Sequence, residues 1–113
     1  MSAIPHYSIV HANRLNLLIH LIAVPLFVLT MLILIFALAS GRFALAGLLA
    51  AGPIISLAAQ GLGHRLEVNA PEPFGGSVDF LRRVFLEQFH TFPFFVLTGG
   101  WIRAWKLAER ESR

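Results

Sequence analysis

No cysteine occurs in the chain. That excludes disulfides, thiolate metal ligands and cysteine nucleophiles together, so any metal must be held by His, Asp or Glu. Charge is scarce as well. Asp, Glu, Lys and Arg make up 13% of the residues, where a soluble domain carries about 25%. Apolar residues reach 57%, above the usual ~45–50%. With so few charges, water is not a credible solvent for the whole surface, and lipid is expected to cover much of it. A basic stripe with interleaved aromatics is also missing, as is any recognition-helix pattern, so no nucleic-acid partner is expected. Nine Lys/Arg stand against six Asp/Glu, for a net charge of +3. The arginines cluster near the ends of apolar runs, which suits phosphate headgroups.

What is present is two long apolar runs. Residues 15–39 read LNLLIHLIAVPLFVLTMLILIFALA. A helix needs roughly 20 such residues to cross the hydrocarbon layer. Asn16 and His20 sit at the start, so the lipid-exposed part is expected to begin near Leu21. Pro25 removes one donor, which membrane helices tolerate. Ala37-Leu38-Ala39 resembles a cleavage signal, but the apolar region exceeds the usual ~7–15 residues and a second run follows at once. Ser40-Gly41-Arg42 is a tight break. Residues 43–63, FALAGLLAAGPIISLAAQGLG, form the second candidate span. Its glycines and alanines favour close helix approach. So short a turn predicts an antiparallel transmembrane hairpin, with His20 and His64 at the same end.

The stretch HRLEVNAPEPFGGSVDFLRR is the longest polar segment. Prolines and Gly75-Gly76 stop regular structure there. Ser77 is a candidate cap and Asp79 suits a first helical turn. Residues 78–108 are expected to be helical and kinked near Pro93 and Gly99-Gly100, either as a third span or as an interfacial helix. Trp101 and Trp105 beside basic residues read as a headgroup-level anchor. A two-span arrangement puts Arg14, Arg65, Arg82 and Arg83 on one face, which the positive-inside tendency assigns to the cytoplasm. A full third span would carry Arg103 and Lys106 to the opposite face. The expected fold is therefore all-α, one membrane-embedded helical bundle over residues 1–113, with the hairpin and a kinked C-terminal helix. A bacterial inner membrane is the expected location, with the histidine-rich end toward the cytoplasm.

His11, His20, His64 and His90 can all be placed near that end. Three or four histidines, with or without a carboxylate, suit Fe(II), Zn or Mn. Asp79, Glu67, Glu72 and Glu87 are candidate ligands or groups that orient a ligand. His64 and Glu67 are three residues apart, as are Glu87 and His90, and that spacing shares a face on an α-helix. Glu87 lies inside VFLEQFHTFPFF, where an ionised carboxylate needs a partner within the bundle. Asn16 is a candidate cap or ligand-orienting residue, and Gln60 a candidate bridge between helices. His6 has no partner in view, and Tyr7 is either an interfacial anchor or a cover for the site. Arg65, Arg82 and Arg83 read as solvated or headgroup-facing residues.

The head gives Tyr7, His11, Asn16, His20 and Pro25, in Y-x3-H-x4-N-x3-H-x4-P. The middle gives Gln60, Gly63-His64, Glu67 and Pro71, in Q-x2-GH-x2-E-x3-P. Together, in this order and each beside an apolar run, these motifs resemble the Mpo1-like family of small membrane proteins. The resemblance covers roughly residues 7–98, with its specific motifs in the first 71. It implies an Fe(II)-dependent dioxygenase that removes one carbon from 2-hydroxy fatty acids by α-oxidation. It implies that His11, His20 and His64 bind iron and that Glu67 is a functional glutamate; His90 rests mainly on its placement. On this reading His11, His20, His64 and His90 are the metal residues, Glu67 and Asn16 the catalytic ones, Fe(II) the cofactor, and a 2-hydroxy fatty acid, O2 and membrane lipid the partners. The chain departs from the family at Ala23, where glycine is common, at Arg14, where proline is common, and in VNAPEPFGG after Glu67. These positions bear on the substrate mouth more than on the ligands. A non-enzymatic membrane scaffold or subunit would fit the apolar runs equally well but would not explain why polar groups recur at one face; another metal-dependent lipid enzyme, such as a Zn hydrolase, is the third reading.

Overall fold

The computed structural model describes residues 11–67 and 73–111, with side chains through residue 108. His6, Tyr7, Pro71 and Glu72 lie outside the described residues. The described chain is all-α. Helix α1 (Arg14–Ala39) contains the first apolar run and keeps Pro25 inside it. Asn13 caps it, its side-chain oxygen accepting from the Asn16 amide at 3.1 Å. At the far end Gly41 takes the left-handed conformation, φ 74°, and Arg42 N–H returns to Ala37 C=O at 2.8 Å. Helices α2 (Phe43–Leu49) and α3 (Ala51–His64) follow, joined through the helical Ala50.

The pairing of α1 with α2–α3 is antiparallel. Thr30 abuts Gly52, Ala23 C=O accepts from Ser56 Oγ, and Asn16 abuts Gly63, so the order reverses between the two helices. Both contact glycines are there for space. A Cβ at Gly52 would collide with the Thr30 side chain, and one at Gly63 with the Asn16 amide. The two apolar helices run 26 and 22 residues, about 39 and 33 Å at 1.5 Å per residue, and each is long and apolar enough to cross a membrane. Their outward faces are apolar: Ile22 is 72% exposed, Phe36 70% and Leu48 73%.

The C-terminal region departs from the expected single kinked helix. Helix α4 (Ser77–Leu86), a π-helical turn (Glu87–Thr91) and α5 (Phe92–Leu97) run on as one segment, and then the chain breaks. Gly99 adopts φ 83°, which a side chain would resist, and α6 (Gly100–Glu111) starts in a new direction. The break turns α6 back to the start of α1. Ala104 joins Leu17, Val24, Phe92 and Phe95 in the core. Trp101 Nε1 donates to Leu17 C=O at 3.0 Å, and Arg14 Nε donates to Trp105 C=O at 3.1 Å with its guanidinium 4.3 Å from the Trp105 ring centre. Arg103 and Lys106 thus belong to a helix docked at the same end of the bundle as Arg14.

Candidate metal centre

The start of α1, the end of α3 and the π-turn meet at this end. His11 comes from the turn before α1, His20 from its second turn, His64 from the last residue of α3, and Glu87 from the first residue of the π-turn. The three imidazole centres lie 4.6, 4.7 and 4.8 Å apart. One ligand atom from each of the four residues lies within 4.8 Å of the others. Glu87 Oε2 is 3.2 Å from His11 Nε2 and 3.8 Å from His20 Nε2. His11 and His20 are buried, and His64 and Glu87 are partly so.

The protonation of His20 follows from its partner. Its Nδ1 is 3.1 Å from Asn16 C=O. A carbonyl only accepts, so Nδ1 carries the proton and the Nε2 lone pair faces the centre. Among the described residues that Nε2 is buried without a hydrogen-bond donor. A lone pair left so, beside two more imidazoles and a carboxylate, fits a divalent cation. The donor set is three nitrogens and one oxygen, suited to Fe(II), Zn or Mn.

Glu67 and Asn16 form a layer behind the cluster. Glu67 Oε1 accepts from Ala12 N–H at 2.8 Å and Asn13 N–H at 2.9 Å. Its Oε2 accepts from Asn13 N–H at 3.0 Å and Asn16 Nδ2 at 2.7 Å. A carboxylate at the N-terminus of α1 also complements the helix dipole. Glu67 therefore ties the turn carrying His11 to the end of α3. Asn16 links Glu67, through its side chain, to His20, through its carbonyl.

His90, placed among the ligands from sequence, stands outside the cluster. It is exposed, and its ring stacks on Phe94 at 6.1 Å. The cause is the π-turn. Phe92 N–H donates to Glu87 C=O, five residues back. This wider winding carries residue i+3 off the face that i occupies, so Glu87 and His90 do not converge. Pro93 explains the local winding, because it lacks an N–H and its ring crowds the carbonyl four residues earlier. Glu87, which sequence offered only as ligand or orienting group, takes the fourth position. The signal that marks it is the isolated carboxylate in an apolar run.

Phe95 and Phe92 pack beside His11 and His20, at 6.3 and 5.8 Å between ring centres. Asp79 is on α4 instead, accepting from Gly75 N–H at 2.8 Å and Arg82 at 2.6 Å. The Gly75 N–H, followed by Arg82, holds its carboxyl below the ordinary 3.8. Arg83 donates to Pro73 C=O at 3.0 Å and covers Phe74. Below the centre, Ser56, Gln60 and Gln88 are buried and joined to one another, a set that sequence did not assemble.

The fold and the cluster define a small all-α protein with a three-histidine, one-glutamate centre suited to a divalent metal. The chain belongs to the Mpo1-like family: the model described as 2-hydroxy-palmitic acid dioxygenase Mpo1-like matches residues 1–106. Comparison with curated proteins and with solved structures gives no significant match to either.

Proposed function

We propose that the protein is an Fe(II)-dependent dioxygenase of the membrane surface that shortens 2-hydroxy fatty acids by one carbon. The observation that carries the reading is the convergence of His11, His20, His64 and Glu87 in a chain of this family. These four residues would hold the metal. Fe(II) bound there supplies the redox chemistry with O2 and an electropositive anchor for the acid. Three neutral imidazoles and one carboxylate leave the charge of a divalent ion only partly compensated, which favours an anionic substrate. Glu67 and Asn16 act as positioning residues, holding the His11 turn and the His20 tautomer. Phe92 and Phe95 keep one side of the centre apolar and limit water.

The C1–C2 bond of the substrate is the one broken. Atoms balance when a 2-hydroxy acid and O2 give the acid one carbon shorter, CO2 and water. The acyl tail lies against the apolar helices, α1 and α2–α3 span the bilayer, and the cluster faces the cytoplasm of an inner membrane. Arg14, Arg65 and the docked α6 at that end support this orientation. The test is anaerobic purification in detergent, loading with Fe(II), and addition of O2 with 2-hydroxypalmitic acid. A C15 acid should form, and should vanish in His20→Ala and His64→Ala. Turnover that survives both substitutions, or a Zn-loaded protein that hydrolyses lipid without O2, would refute the assignment.

A further inference from the structure

One turn below the cluster, a chain of buried side chains joins the three segments that carry ligands. Ser56 Oγ donates to Ala23 C=O on α1. Gln60 Nε2 donates to Ser56 Oγ at 2.9 Å and to Gln88 Oε1 at 2.9 Å. Gln88 Nε2 donates back to Gln60 Oε1 at 2.9 Å. Gln88 is 0% exposed, Ser56 0% and Gln60 4%. On each of the three segments the chain touches a residue close in sequence to a cluster side chain. Ala23 is one turn after His20, Gln60 one turn before His64, and Gln88 directly follows Glu87.

We infer that the reciprocal Gln60–Gln88 amide pair is the positioning device that presents Glu87 to the three histidines. A paired amide in a low-dielectric interior has a fixed orientation, because rotating it away leaves two donors and two acceptors without partners. Pinning Gln88 against α3 sets the azimuth of the π-turn. The side chain one residue earlier is thereby turned toward α1 and the centre. The π-turn's winding alone does not set this direction: Phe92 and Phe95 seat the following turns against α1, and the amide pair fixes the segment against α3 at the residue beside Glu87. The pair therefore decides whether the metal has a carboxylate ligand, and through it the affinity and electronic character of the site.

The inference rests on the cluster being a metal centre, and its test separates the two. Gln60→Leu/Gln88→Leu replaces both amides with apolar groups of similar size, so neither amide is left without its partner, Ser56 Oγ keeps its bond to Ala23 C=O, and the fold should be preserved. Co(II) is titrated anaerobically into the solubilised parent, this double variant, Glu87→Ala and the triple variant, with d–d absorption and helical circular dichroism recorded. The expected result is a Co(II) affinity about 10–100-fold weaker in the leucine pair, with the absorption spectrum of Glu87→Ala. In the triple variant the loss should be no greater than in Glu87→Ala alone, because one residue acts through the other. A helical leucine pair with the parent spectrum and affinity overturns the positioning role while the metal centre stands, and so do additive losses. A parent that binds no Co(II) overturns the centre and the inference with it.

Discussion

Glu87 is the one anionic side chain of the cluster, and a carboxylate there both attracts a cation and offsets part of its charge. Its Oε2 lies 3.2 Å from His11 Nε2 and 3.8 Å from His20 Nε2. Glu67 has the opposite task. Its carboxylate accepts from the start of α1, from Ala12, Asn13 and Asn16. Hydrogen bonds to a charged group contribute about 1.5–3 kcal/mol each. Glu67→Ala should therefore lower the thermal midpoint and weaken metal binding through a loosened His11, whereas Glu67→Gln, which keeps one acceptor, should lose less of both. Equal melting of Glu67→Ala and the parent would show that the clamp contributes nothing. His11, His20 and His64 were legible in the sequence because each adjoins an apolar run whose end is readable. Choosing between Glu87 and His90 was not, since i,i+3 geometry assumes α-helical winding and this turn is wider.

At the level of elements, the small residues of α2–α3 determine how closely it meets α1. Gly63 is the sharpest case, because a Cβ there overlaps the Asn16 side chain. Overpacking of this kind costs about 1–3 kcal/mol. Gly63→Ala should therefore destabilise the helix pair and, by displacing Asn16, reduce metal affinity as well. Gly47→Ala, with open space at its Cβ, should do neither. Parallel melting and metal titrations of the two variants check this. The two apolar helices and their antiparallel arrangement could be read from run length and from Ser40-Gly41-Arg42. The C-terminal part was harder. Proline and glycine mark where a helix is disturbed, but they do not say whether the result is a kink, a π-turn or a reversal. Here Pro93 accompanies a π-turn and Gly99 a reversal.

For the whole molecule, the docking of α6 on the start of α1 removes the charge conflict that a full third span would create. Trp101, Ala104 and Trp105 hold it there. The basic residues of α6 then share an end with Arg14, as the proposed two-span arrangement requires under the positive-inside tendency. The lack of cysteine makes this easy to examine. A single Ser40→Cys in the turn after α1 should react with an impermeant maleimide from outside intact cells, and a single Arg65→Cys only after lysis. The reverse pattern would invert the orientation, and reaction of both from outside would remove the spans.

The metal centre is the claim on which the rest depends, and anaerobic Fe(II) titration of the solubilised protein addresses it most directly. The account predicts one Fe(II) per chain, loss of binding in His20→Ala, weakened binding in Glu87→Ala and parent-like binding in His90→Ala. A parent that binds no Fe(II), or a His90→Ala variant as impaired as Glu87→Ala, would contradict it.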